Sequence, residues 1–216
     1  MITVVGGIKG GTGKTTIATN LAVLNSINGR KTLLIDADDQ RSASDWADQR
    51  SLLISFGRSF FPTIALTGKS IHNSVNKMKE DYEEIVIDTG GRDTVSQRSA
   101  LTCADVYILP FKPRSLDVWT VGKVKELADE IRTFNPKLKI FAFINQADPK
   151  GTDNEDALQI LKDETDFFCL PVNVGYRKAF ANAAAQGLGI CEITSDTKSI
   201  SELYILHRAI YSDQHI

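Results

Sequence analysis

The chain has 216 residues, of which 42% are apolar and 24% charged, and it carries a formal net charge of −2. That composition belongs to one globular domain able to bury a sizeable core, and it excludes a fibrous repeat or a disordered chain. The near-neutral balance supplies no global attraction for nucleic acid or an acidic membrane, so any such binding must come from a local patch.

Along the chain, short β-branched runs alternate with longer helical patterns. Strands are expected over residues 2–7, 32–36, 63–66, 84–88, 106–110, 139–145 and 167–172. Helices are expected over 15–28, 42–53, 70–81, 95–103, 115–135, 154–165, 177–186 and 199–211. This alternation predicts a three-layer, doubly wound α/β fold, a mostly parallel sheet with helices on both faces. No internal repeat, low-complexity tract or linker divides the sequence, so residues 1–216 are expected to form a single domain. Cys103, Cys169 and Cys191 lack any CxxC spacing, which suggests neither a disulfide framework nor a zinc site. No apolar run approaches the ~20 residues of a membrane span. Lys9, Lys14 and two glycine pairs interrupt the stretch where a signal peptide would be apolar, so a cytoplasmic location is expected.

The first strand runs into Gly6-Gly7-Ile8-Lys9-Gly10-Gly11-Thr12-Gly13-Lys14-Thr15-Thr16. Against the pattern GxxxxGK[ST], counting back from Gly13 puts the opening glycine at Ile8, so the loop is a deviant form of the phosphate-binding P-loop. Its physics is retained. Gly10, Gly11 and Gly13, with Thr12 and Thr16, let backbone N–H groups turn onto phosphate oxygens at a helix N-terminus, where the helix dipole favours anions. Lys14 would reach the β/γ-phosphates and the Thr15 hydroxyl would coordinate magnesium. ATP and Mg2+ are therefore the expected ligands.

Two apolar strands end in carboxylates, Leu33-Leu34-Ile35-Asp36-Ala37-Asp38-Asp39-Gln40 and Ile85-Val86-Ile87-Asp88-Thr89-Gly90-Gly91. Open α/β sheets bind ligands at the carboxyl ends of their strands, although one such aspartate taken alone fits a helix cap as well.

The string Lys9-Gly10-Gly11-Thr12-Gly13-Lys14-Thr15-Thr16 resembles the deviant Walker motif of the ParA/MinD family of ATPases, and the short, ParF-like plasmid-partition branch most of all. The resemblance implies a P-loop NTPase fold and makes Lys9 a signature lysine that crosses a dimer interface to the partner's nucleotide. It gives Asp38 the orienting of the attacking water, Asp36 a place in the magnesium shell, and Asp88 a hold on magnesium through water. Asp39 departs from the proline usual at its position. Asn145 falls where relatives recognise adenine, and an ordinary turn residue would look the same; Pro171 belongs to the same nucleotide-side reading. Residues 109–117 resemble a loop and helix start of the small partition branch and fit either dimer contacts or a helix cap by Ser115.

The implied activity is slow, partner-stimulated hydrolysis of ATP by an ATP-dependent homodimer. That dimer would bind nonspecific DNA, associate with the nucleoid and segregate plasmid or other DNA with a centromere-binding adaptor protein. Arg177, Lys178, Lys198 and Arg208 are the candidate DNA contacts. With the P-loop beginning at residue 6, the helix-turn-helix of larger partition ATPases is not expected. The segment 199–216 offers Arg208 as its one fixed cation and a core-facing apolar pattern of Ile200, Leu203, Leu206 and Ile210, so no membrane targeting is expected. A nucleotide-switched scaffold for a protein cargo, without DNA, is the alternative.

Overall fold

The computed structural model describes residues 1–53, 59–115, 118–150, 152–193 and 195–212. Seven strands lie in it: β1 (Ile2–Val5), β2 (Thr32–Asp36), β3 (Thr63–Ala65), β4 (Glu84–Asp88), β5 (Val106–Phe111), β6 (Lys139–Ala147) and β7 (Phe168–Gly175). Between and after them run α1 (Lys14–Ile27), α2 (Ser42–Ser51), α3 (Ser70–Met78), α4 (Val95–Leu101), α5 (Val118–Arg132), α6 (Asp153–Glu164), α7 (Lys178–Ala184) and α8 (Thr197–Tyr211). The strands form one sheet in the order β3-β2-β4-β1-β5-β6-β7, and every pairing is parallel. This is the doubly wound α/β architecture expected from the alternation. The Ser115 cap expected for α5 lies outside the described side chains.

The near-continuous apolar strands follow from burial on both faces. Leu33, Ile35, Ile85 and Ile87 point into a core closed by α3, α4, α5 and α6. Their neighbours Leu34 and Val86 point the other way, into a second core closed by α1, α2, α7 and α8. As anticipated for α8, Leu203, Leu206 and Ile210 are buried, and Ile200 packs against the same core.

Register then places the chemistry. Asp88 stands opposite Asp36 on one side and Val5 on the other, so both strand-end carboxylates lie level with the entry to the glycine loop. β7 runs three residues farther than expected. Pro171 lies within β7, which is an edge strand, where sheets tolerate proline. The register against β6 also shifts across Pro171, with Cys169 opposite Ala142 and Asn173 opposite Ile144.

Candidate functional site

The loops leaving β1, β2 and β4 enclose a cavity of about 650 Å³ lined by Gly10, Gly11, Gly13, Lys14, Thr15, Thr16, Asp38 and Gly90, among others. Six of the expected nucleotide-side residues and the expected water-orienting carboxylate thus share one space. Gly13 adopts φ 85° directly before α1, and a Cβ there would lie 2.4 Å from Asn145 Nδ2, so both conformation and space require glycine. On the far side, a Cβ on Gly91 would lie 2.7 Å from Gly10 Cα, which shows how closely the β4 loop is pressed against the glycine loop.

Lys14 is buried, and its ammonium donates to the Lys9 carbonyl at 2.9 Å. Burial lowers its pKa, and the charges of Asp88 and Asp38 oppose that shift. Thr15 Oγ1 donates to Asp88 Oδ2 at 2.6 Å. Asp88 is wholly buried, and among the described residues its Oδ1 has no hydrogen-bond partner. Burial pushes the Asp88 pKa up to about 7; the Thr15 hydrogen bond opposes this, and the nearby carboxylates of Asp36 and Asp38 add to it. A buried carboxylate with an orphaned oxygen beside a threonine hydroxyl is a donor set short of a cation. It fits magnesium, which takes one or two protein oxygens and keeps waters.

Asp36, expected in the magnesium shell, is hydrogen-bonded to its own strand-end loop and to α2. Its Oδ2 accepts from Ser44 N at 2.7 Å and Ser44 Oγ at 2.8 Å, and its Oδ1 accepts from Asp38 N at 3.2 Å. Arg41, the residue before α2, is left-handed and offers no side-chain cap, and Asp36 accepts the Ser44 N–H of the first turn.

A second, narrower cleft of about 140 Å³ adjoins the first through Gly13 and Thr16, with Asn145, Val174, Tyr176 and Phe180 among its other walls. Asn145 Nδ2 donates to Thr12 O at 2.6 Å, which locks its amide and leaves Oδ1 as an acceptor. Pro171 is outside this cleft: it is exposed at mid-strand, whereas the nucleotide side is formed by the strand's end at Val174 and Gly175. Lys9 does not line the phosphate cavity. It borders a neighbouring groove with Leu109, Phe111 and Thr120.

Among the DNA candidates, Arg177 is paired with Glu202, at 2.6 Å between Nη2 and Oε1, and also lines the narrow cleft. This pairing removes it from the set, whereas Lys178, Lys198 and Arg208 are exposed. Sequence reading missed three supports. Gln97 Oε1 accepts from Gly7 N at 3.1 Å and from Thr89 Oγ1 at 2.9 Å. Gln146, with φ 54°, donates to Gly11 O at 2.9 Å. Ser44 holds Asp36. Only Gln146, next to Asn145 at a strand end, carried a positional signal. Among the described residues no helix is long and apolar enough to cross a membrane.

A glycine loop between strand and helix, a lysine, a threonine paired with a strand-end aspartate and a cleft beside them define a P-loop nucleotide-binding protein. The chain belongs to the CobQ/CobB/MinD/ParA nucleotide binding domain family, whose model matches residues 2–190. It is 26% identical over 203 residues to the maintenance of carboxysome distribution protein A of Halothiobacillus neapolitanus, covering 92% of this chain and 90% of that one. Its fold is similar to a Cyanothece McdA–ATP complex, with TM-score 0.75, 15% identity and 96% and 95% coverage. It is also similar to a plasmid partition protein from Borrelia burgdorferi, with TM-score 0.66, 22% identity and 97% and 96% coverage.

Proposed function

We propose that this protein is a magnesium-dependent ATPase that dimerises on ATP, binds DNA nonspecifically and positions plasmid or other DNA through an adaptor protein. The observation that carries the ATPase reading is the single cavity onto which Lys14, Thr15 and Asp38 all open, with Asp88 behind Thr15. Lys14 would bind the β/γ-phosphates, and the N–H groups from Gly10 to Thr16 would hold their oxygens. The Asn145 Oδ1 acceptor suits the 6-amino group of adenine and repels the carbonyl oxygen that guanine presents there. Asp38 would orient a water toward the terminal phosphorus; that bond forms, the bond to the leaving ADP oxygen breaks, and phosphate and a proton are released. Magnesium, held by Thr15 and through water by Asp88, would neutralise charge on the phosphates.

Lys9 borders the groove beside β5 and would reach a partner's nucleotide in a dimer. Lys178, Lys198 and Arg208 would supply the DNA contacts. The second reading, a scaffold for a protein cargo, is favoured by the relative that matches 92% of the chain and by the loss of Arg177 to an ion pair. Mobility shifts on long duplex DNA separate the two. ATP-loaded protein should retard the DNA at low salt and release it steeply as salt rises, because counterion release dominates such binding. No shift at low salt would replace partition with the scaffold.

A further inference from the structure

The phosphate cavity is lined by two cations and two carboxylates, Lys14 and Arg92 against Asp38 and Asp39. The cations are not equivalent. Lys14 is fixed on the Lys9 carbonyl and sits in the field of Asp88 and Asp38. Arg92 is exposed, and among the described residues its guanidinium has no hydrogen-bond or ion-pair partner.

Its nearest candidate in sequence, Asp93, is taken. Arg98 binds Asp93 in a two-pronged pair, with Nε to Oδ1 and Nη2 to Oδ2 both at 2.7 Å, and also reaches Glu130 on α5. The loop carrying Arg92 is held on both sides. Upstream, Gly91 is pressed against Gly10, where even a Cβ would clash. Downstream, Thr94 caps α4 by accepting from Gln97 N at 3.1 Å. One residue lies between the Gly91 contact and the Asp93 anchor, so the Arg92 backbone has little room to leave the cavity wall. A planar guanidinium there, relieved of its acidic neighbour by Arg98, is suited to a two-pronged grip on a phosphate.

We infer that Arg92 binds the terminal phosphate of the nucleotide triphosphate and so reports on that phosphate from the β4 loop. The inference rests on the ATPase reading above. Lys14 then serves triphosphate and diphosphate alike, whereas Arg92 serves the group lost on hydrolysis, and its contact ends with that loss.

Calorimetric titration of wild type, R92A, R92K and K14A with the β,γ-imido analogue of ATP and with ADP, each with magnesium, tests this. A charge-assisted contact predicts that R92A weakens the analogue by about tenfold or more. ADP affinity should stay within about twofold, which also shows that the variant is folded. R92K, with charge but no fork, should fall between. Equal weakening of both ligands, or no change in either, while wild type binds both, would overturn the assignment to Arg92 alone. Wild type binding neither nucleotide, or K14A binding both as wild type does, would overturn the ATP site itself and Arg92's role with it.

Discussion

Arg50 of α2 and Glu192 form an ion pair in which each side chain is only 4% exposed, with Nη1 to Oε2 at 2.8 Å and Nη2 to Oε1 at 3.1 Å. The guanidinium lies 5.4 Å from the ring centre of Trp46 and 5.3 Å from that of Phe61. Glu192→Ala would leave this charge buried and without its counter-ion, a change that costs about 3–5 kcal/mol in comparable pairs. Carbonyls of Gly187 and Ser59 still accept from Arg50, which argues for the lower end of that range. At about 2–4 °C per kcal/mol for a chain of this size, the melting temperature should fall by roughly 6–12 °C. A double variant, Arg50→Met with Glu192→Leu, should recover much of the loss, because replacing both charges removes the unpaired group. Thermal melts followed by circular dichroism decide it. A drop below about 2 °C for the single variant would mean that water or another group solvates Arg50, and the argument from burial would fail.

Asp38→Ala should keep ATP affinity and lower turnover by about a hundredfold or more, since orienting water acts on the transition state; equal loss of both, by titration and phosphate release, would make Asp38 structural. Light scattering with ATP and magnesium should find Asp38→Ala dimeric and Lys9→Ala/Asp38→Ala monomeric, whereas equal dimerisation would remove the cross-interface role of Lys9. His207 accepts a different kind of test. Burial, aided by Arg30, pushes its pKa down from 6.5 to about 4 while it bonds Asn25 Oδ1 at 2.8 Å. The unfolded chain takes up this proton first, so stability should fall as pH drops from 6.5 toward 4, by at most about 3 kcal/mol. Denaturant unfolding of His207→Gln should lose that part of the pH dependence, and parallel wild-type and variant curves would contradict it.

The glycine loop and the strands leading to Asp36 and Asp88 were legible because their chemistry is local. Backbone amides can surround phosphate only where residues lack side chains, and a buried parallel strand must be apolar until it ends. With its strand expected to end at residue 172, Pro171 stood near the carboxyl end; β7 runs on to Gly175, and Val174 and Gly175 wall the cleft. The spacing of Asp36 is the same whether it supports a magnesium shell or caps α2. Its partner on α2, Ser44, lies eight residues on, with no pattern to mark it. Gln97 and Glu192 were invisible for a related reason: the first meets Gly7 across 90 positions and the second meets Arg50 across 142.

These long-range contacts bear on how a site at the carboxyl ends of the strands could act elsewhere. Glu202 of α8 accepts from Gly175 N at 3.0 Å and binds Arg177, and both residues wall the cleft beside Asn145. On α1, Asn20 donates to Thr16 O at 2.7 Å and accepts from Ile190 N at 2.7 Å, joining the glycine loop's helix to the segment before α8. Arg50 ties α2, which begins beside Asp38, to that same segment through Gly187 and Glu192. A nucleotide that displaces the cleft wall at Gly175 and Arg177 must either break hydrogen bonds to the Glu202 carboxylate, at about 1.5–3 kcal/mol each, or keep that wall joined to α8. Lys198 and Arg208 are exposed on α8, so under the proposed function two cations offered to DNA sit on a helix joined to the nucleotide cleft through Glu202.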